Sequence, residues 1–489
     1  MLFNSIDFAV FFPIVFVLYW LVSGKLRLRN IFILITSYVF YGWWDWHFLF
    51  LIGISTLVDF YIGKKLGDTE NKKDRKKLLY VSLAVNLGFL IYFKYTNFFI
   101  DTFVDSFKLF GKPLEVETLN IILPVGISFY TFQTLSYTID IYRKRLKPTN
   151  DFIAFSAFVA FFPQLVAGPI ERASHLLPQF FKTYKFNYKL VKSGLLLMAF
   201  GLFKKMVIAD RAAQYVNEVY NHPTNYEGIE TLLATFLFAF QIYCDFSGYS
   251  DIAIGAARTM GFDLMKNFDS PYLSKSITEF WRRWHISLST WFRDYVYIPL
   301  GGSHHGKMKT YFNLFLVFLV SGLWHGAAMT FVVWGAIHGI IIVLEKAISG
   351  KKERLFQRLN INKETISNKL ISVLFTFAIV CFSWVFFRAN SFADSKLIIS
   401  SFFNANFNEL FGDALYVIGL KENEFSFLIM SIFGLVLFER FHRKHNVFNI
   451  LNKQALVFRW LVYLAIVLSI TIFGVYGARS NSEFIYFQF

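Results

Sequence analysis

The chain is predicted to be an all-α, polytopic integral membrane protein, and two observations carry that reading. Of its 489 residues, 55% are hydrophobic and 20% aromatic, with a mean hydropathy of +0.46, far from the composition of a soluble globular domain. Its 49 Lys and Arg outnumber its 33 Asp and Glu, and they fall in short clusters between apolar runs, as the positive-inside rule predicts for cytoplasmic loops. The net charge of +16 is therefore a mark of topology, and no nucleic-acid partner is expected. Cys244 and Cys381 lie far apart in apolar segments, so neither a disulfide framework nor a metal-binding spacing is implied.

The segment before Phe8 lacks a basic n-region and no small-residue cleavage site follows, so Phe8 to Val22 reads as a retained first membrane helix. Lys25, Arg27 and Arg29 follow it, and Lys64 to Lys77 is strongly basic, which places both loops in the cytoplasm and the N-terminus outside. Ile31 to Phe40 then crosses outward, Trp46 to Ile62 returns, Leu78 to Tyr95 exits, and Leu119 to Tyr142 re-enters before Arg143, Lys144, Arg145 and Lys147. Phe152 to Val166, Ser193 to Ile208 and Ile229 to Ala257 are apolar, but the basic loop between the first two contains Pro178, so partial or re-entrant helices are expected there. Farther on, Lys346 to Lys369 is basic, Leu370 to Phe387 crosses out, Phe425 to Phe438 crosses in, and Leu456 to Tyr476 leaves the C-terminus extracytoplasmic. At roughly 20 residues per crossing this makes about 11 or 12 membrane segments, several short. Without an internal repeat or linker, residues 1–489 are treated as a single domain.

The stretch from Trp281 to Gly339 departs from this regularity. On a helix at about 100° per residue, Trp281, Trp284, Leu288 and Trp291 share one face, Arg282, Ser289 and Arg293 another, and His285 falls at the seam. That pattern predicts one helix lying in a membrane interface. Phe312 to Val320 is apolar and leads to His325, an ionisable residue at membrane depth that needs a partner or a job. Gly322 and Gly326 bracket His325, and Gly335 and Gly339 bracket His338, spacings that let helices approach closely. From Tyr311 to Glu345 a helix would reach only about 52 Å, short of two crossings, which puts His325 near the turn of a hairpin. An imidazole in a dry cavity suits the work of a general base. A second imidazole can orient a substrate or polarise a carbonyl.

Each of these residues also has a bland reading. A membrane histidine can serve only as a hydrogen-bonding group between helices. His338, about 220° around the helix from His325 at ~100° per residue, reads as structural. Asp245 and Asp251 are expected to pair with Arg258 or a hydroxyl, or else to orient a catalytic imidazole. Arg282, Arg283 and Arg293 are either headgroup anchors or a grip on the phosphates of a bound substrate. The ending SEFIYFQF, Ser482 to Phe489, is too short to cross a bilayer and too apolar to sit in water, so it is expected to dock on the protein or a partner.

Four segments carry a family resemblance: VGISFYTFQTLSYTIDIYR at Val125 to Arg143, FFPQLVAGPIER at Phe161 to Arg172, QIYCDFSGYSDIAIGAARTMGF at Gln241 to Phe262, and the Trp281 to Gly339 stretch. In order and spacing they resemble the membrane-bound O-acyltransferase (MBOAT) family, within it the bacterial alginate and peptidoglycan O-acetyltransferase branch. Cys244 and Met329, where other apolar residues are expected, are minor departures. The resemblance implies the MBOAT fold, His325 as the essential catalytic residue and His285 as the second polar residue of the site. It implies transfer of acetyl from a cytoplasmic donor, with acetyl-CoA as substrate and no tightly bound cofactor. The acceptor would be an exported polysaccharide or peptidoglycan, reached with an extracytoplasmic esterase-like acetyltransferase partner, at the bacterial inner membrane. An aromatic ending with a central Tyr recurs in this branch, which makes Tyr486 a candidate acyl relay. A D-alanyl transferase to teichoic acid is the alternative within the superfamily. A proton-coupled transporter is the alternative outside it, although no matching pair of broken helices is found.

Overall fold

The computed structural model describes residues 1–109, 119, 121–445, 447–476 and 484–485. Regular structure among them is helical, with no strand, as expected of a chain whose backbone groups must be satisfied within each segment in lipid. Among the described residues, seven helices are long and apolar enough to cross a membrane: Trp46–Asp68, Lys72–Val104, Ile229–Thr259, Met329–Arg358, Ile366–Arg388, Glu422–His445 and Leu456–Phe473. Ile6–Val22 is a shorter apolar helix, and other expected segments take the form of short helices such as Phe152–Ala160. Leu456–Phe473 buries none of its residues against the protein. A helix so apolar all round is stable only where lipid covers it.

The described residues gather into two compact units, Met1–Met198 with Ser250–Met265, and Ala199–Tyr249 with Lys266–Phe489. In the first, α1 (Ile6–Val22), α2 (Leu26–Gly42), α3 (Leu49–Asp68), α4 (Lys72–Leu109), α5 (Ile127–Tyr142) and α6 (Phe152–Ala160) are the principal helices. Asp59 of α3 is fully buried there, and Ser82 Oγ and Asn86 Nδ2 of α4 donate to its two oxygens at 2.6 and 2.8 Å. Ser82 Oγ also reaches Thr138 Oγ1 of α5, 3.0 Å away. These bonds offset the desolvation of an acid inside a helical bundle and fix the three helices in register.

The second unit contains α7 (Asp210–Asn221), α8 (Ile229–Thr259, ending in the first unit), α9 (Ile277–Arg283), α10 (Ile286–Phe292), α11 (Gly306–His325), α12 (Met329–Arg358), α13 (Ile366–Arg388), α14 (Glu422–His445) and α15 (Leu456–Phe473). α11 and α12 form a hairpin joined by Gly326 to Ala328. The expected close approach is present. A Cβ on Gly335 would stand 2.5 Å from the Phe318 carbonyl oxygen and 3.2 Å from Gly322 Cα, and one on Gly322 would collide with the Phe331 carbonyl. Gly335→Leu is therefore expected to pry the hairpin apart, at a cost of about 1–3 kcal/mol or more. Thermal unfolding in detergent measures the effect, with Gly350→Leu as control because no atom lies within 4 Å of its added Cβ.

The single interfacial helix expected over Trp281 to Trp291 is not formed. α9 stops at Arg283, Trp284 is extended, His285 adopts the left-handed conformation at φ 43° and ψ 55°, and α10 begins at Ile286. Asn267, in a preceding loop, causes the break by taking the amides at that point: Ile286 N donates to its carbonyl at 2.9 Å and Ser287 N to its Oδ1 at 3.3 Å. Trp281, Trp284, Leu288 and Trp291 are all buried in protein, so this aromatic row is core and not a headgroup belt.

Candidate active site

His325 is the last residue of α11, 3% exposed, with extended Gly326 after it. Its ring meets Trp324, Trp334 and Phe387 at centroid distances of 4.8, 5.0 and 5.4 Å. Apolar walls of this kind exclude water and strengthen any electrostatic interaction made inside them. His285 is completely buried. A non-glycine residue in the left-handed region carries a conformational cost of about 1–2 kcal/mol, and such strain persists where surrounding contacts over-determine it, often at functional sites.

Those contacts also fix the His285 tautomer. Ser287 N can only donate, so the Asn267 side-chain atom it reaches is the carbonyl oxygen, which also accepts from Ser287 Oγ at 2.8 Å. His285 Nδ1 lies 3.1 Å from that oxygen and must carry the proton, leaving Nε2 as the basic nitrogen of the neutral ring. Both histidines neighbour Trp324, whose ring is 4.8 Å from His325 and 6.1 Å from His285. His338 is saturated instead: Trp281 Nε1 donates to its Nδ1 at 3.2 Å, and its Nε2 lies 2.9 Å from Ser383 Oγ. It ties α9 to α12 and α13, as its position on the helix predicted.

Of the three arginines, the structure brings two together. Arg282 and Arg293 line a cavity of about 230 Å³ with Trp281, Ser289, Tyr297 and Ser321. Ser321 precedes His325 by one turn of α11, so the cavity reaches the base of the histidine's own helical turn. Arg283 points elsewhere and ion-pairs with Glu279 on α9.

Asp245 corrects an expectation. Its partner is Lys205, not Arg258: Lys205 Nζ sits 2.6 Å from Asp245 Oδ1 and 2.8 Å from Asp210 Oδ1, and all three side chains are buried. Asp251 belongs to the other unit. Lys205 lies in a π-helical turn, Phe203–Ala209, a rare feature that widens a helix by one residue and often marks functional positions. The second oxygen of Asp245 receives Ile485 N at 2.8 Å. Phe484 and Ile485 are 1% and 2% exposed, so this part of the tail is docked on the protein. The Phe484 ring packs 4.8 Å from Tyr249 and 5.9 Å from Phe246, and Phe246 meets His285 edge-on at 4.6 Å. Tyr486 lies outside the described residues.

Asn267 and Lys205 escape the sequence reading. Asn267 sits in a loop without periodic signal, whereas Lys205, a cation inside the apolar run Ser193 to Ile208, carried the same signal that singled out His325.

A model of the membrane-bound O-acyltransferase family matches residues 142–389, which contain both histidines and the cavity with Arg282 and Arg293. The chain is 38% identical over 506 aligned residues to a probable alginate O-acetylase of Pseudomonas putida, covering 100% of each chain. A probable alginate O-acetylase of Pseudomonas aeruginosa is 39% identical over 89% of this chain and 82% of its own. A peptidoglycan O-acetyltransferase of Helicobacter pylori is 34% identical over 83% of this chain and 80% of its own. The protein thus belongs to the membrane-bound O-acyltransferase family and is a multi-pass membrane O-acyltransferase.

Proposed function

We propose that this enzyme takes acetyl from acetyl-CoA on the cytoplasmic side of the bacterial inner membrane and delivers it outward for O-acetylation of an exported polysaccharide or peptidoglycan. The carrying observation is the pair of buried imidazoles, His325 and His285, meeting across Trp324. One lies a helical turn from a cavity lined by Arg282 and by Arg293, whose Nε donates to Asp294 at 2.8 Å, the other beside the packing of the docked tail. In this reading Arg282 and Arg293 grip the phosphates of the donor. His325 removes the acceptor proton, and His285 orients the thioester. Acetyl passes from the thioester sulfur to an oxygen, and the thiol leaves with the proton that the base had taken.

Tyr486 provides that oxygen as a relay, and an esterase-like acetyltransferase on the outer side carries the group to the polymer. Both chain termini face that outer side, following the charge alternation. Relatives that act on alginate and on peptidoglycan, by their names, support the acceptor class. The test uses sealed vesicles and radiolabelled acetyl-CoA, which does not cross a bilayer. Inside-out vesicles containing the protein are expected to turn the thioester over, and right-side-out vesicles are not. Turnover from the opposite face overturns the direction. Acceptance of a charged carrier protein with no use of acetyl-CoA replaces this reading with D-alanyl transfer.

A further inference from the structure

A second cavity, about 630 Å³, lies between the first half of α13 and the last half of α14. That volume is within the ~300–1,000 Å³ common for ligand sites. Its floor is aromatic, formed by Phe240, Tyr243, Tyr272 and Phe377. Its open wall is aliphatic: Ile366, Leu370, Leu374 and Leu437 all line it and all are exposed on the protein surface. Both flanking helices are long and apolar enough to span a membrane. A wall of exposed aliphatic residues between two spans opens to the hydrocarbon of the bilayer.

The rim has a different chemistry. Lys275, Lys369, Arg440 and Arg443 line the cavity against a single acid, Glu439, one oxygen of which accepts from the Tyr243 hydroxyl. The acids nearest the rim outside the lining offset the cations only in part. Lys369, half-buried, meets the exposed Glu364 at 2.6 Å, and Arg443 stands 3.9 Å from half-buried Asp269. Pairs this open to solvent are weak.

We propose that this groove is a binding site for a phospholipid with an anionic headgroup. An acyl chain fills the aliphatic cleft between α13 and α14, and the phosphate sits among Lys275, Lys369, Arg440 and Arg443. Charge complementarity selects the headgroup, and the lateral opening to the bilayer selects a lipid over a soluble anion. The floor connects the site to the reaction centre. Tyr243 and Tyr272 each pack 6.1 Å from Trp284, the residue before strained His285. Lipid in the groove braces the aromatic layer that holds this turn.

The test reconstitutes the full chain in phosphatidylcholine nanodiscs with and without phosphatidylglycerol, and measures retained lipid by native mass spectrometry and stability by thermal unfolding. Phosphatidylglycerol is expected to be retained in preference and to raise the unfolding temperature. A rim variant combining Lys369→Gln, Arg440→Gln and Arg443→Gln is expected to weaken retention by about fivefold per charge removed. A control combining Lys351→Gln, Lys352→Gln and Arg354→Gln, exposed cations near the end of α12, removes the same charge elsewhere and is expected to bind normally. Equal retention of the two lipids overturns the proposal, as does equal weakening by the rim and control variants. Displacement of the lipid by acetyl-CoA also overturns it, because the groove would then be a donor mouth.

Discussion

His325→Ala is expected to lower acetyl transfer by a factor of about 10² to 10⁴, the usual cost of losing a general base, while the protein still inserts and purifies at normal yield. The separation of activity from folding follows from where the residue sits. It ends α11 at the turn of the hairpin, and the close approach of α11 to α12 is made by Gly322 and Gly335. Its ring contacts with Trp324, Trp334 and Phe387 are replaceable packing, because Trp334 also stacks on Trp384 at 5.9 Å and meets Phe387 at 5.3 Å. Radiolabelled acetyl release with purified variant checks the result. Retention of more than about a tenth of wild-type activity would remove His325 from the base role. His285→Ala behaves differently, since it also removes the ring beside Phe246 and the Nδ1 bond to Asn267. It is expected to lose activity together with some stability.

The contrast between these two histidines shows what a single chain read in order can reveal. His325 was legible because what places it is local: an apolar run and flanking glycines at helical spacing. The expected shortness of the hairpin is not found, since its helices run beyond Tyr311 and Glu345 and α12 alone is long enough to cross a membrane. His285 was legible as a residue but not as a conformation. The spacing of Trp281, Trp284, Leu288 and Trp291 fits an uninterrupted helix, and nothing between Trp281 and Trp291 forbids one. The break comes from Asn267, eighteen residues earlier, whose oxygen atoms capture the amides of Ile286 and Ser287. Tertiary hydrogen bonds override local periodicity here. The same limit explains Asp245. A reading along one helix proposes Arg258 as its partner, but the charge that reaches it, Lys205, comes from a different segment through a π turn that no sequence period announces. Apolar runs and basic clusters, by contrast, were sufficient to identify a multi-pass helical membrane protein, because lipid leaves a helix so few alternatives.

The second large effect is expected of Tyr486→Phe, which should stop acetylation of the polymer while donor hydrolysis and membrane insertion persist. The substitution keeps the ring and removes only the hydroxyl, so it separates a nucleophile from an aromatic anchor. The docked part of the tail motivates the expectation. Phe484 and Ile485 are buried, the Ile485 amide is held by Asp245, and Phe484 packs on Phe246, the residue that abuts His285. Tyr486 is the next residue in the chain, and successive Cα atoms are only about 3.8 Å apart. In the proposed relay, the base would take the phenolic proton as the oxygen attacks the thioester carbonyl. The carbon–sulfur bond breaks, and the thiolate recovers that proton. The resulting aryl ester is an activated acyl donor for a second hydroxyl. Wild-type enzyme incubated with acetyl-CoA and no polymer is therefore expected to gain one acetyl group on the C-terminal peptide by mass spectrometry, and the phenylalanine variant none. Wild-type levels of polymer acetylation by Tyr486→Phe would reduce the tail to an anchor and leave transfer to proceed directly from the His325 pocket.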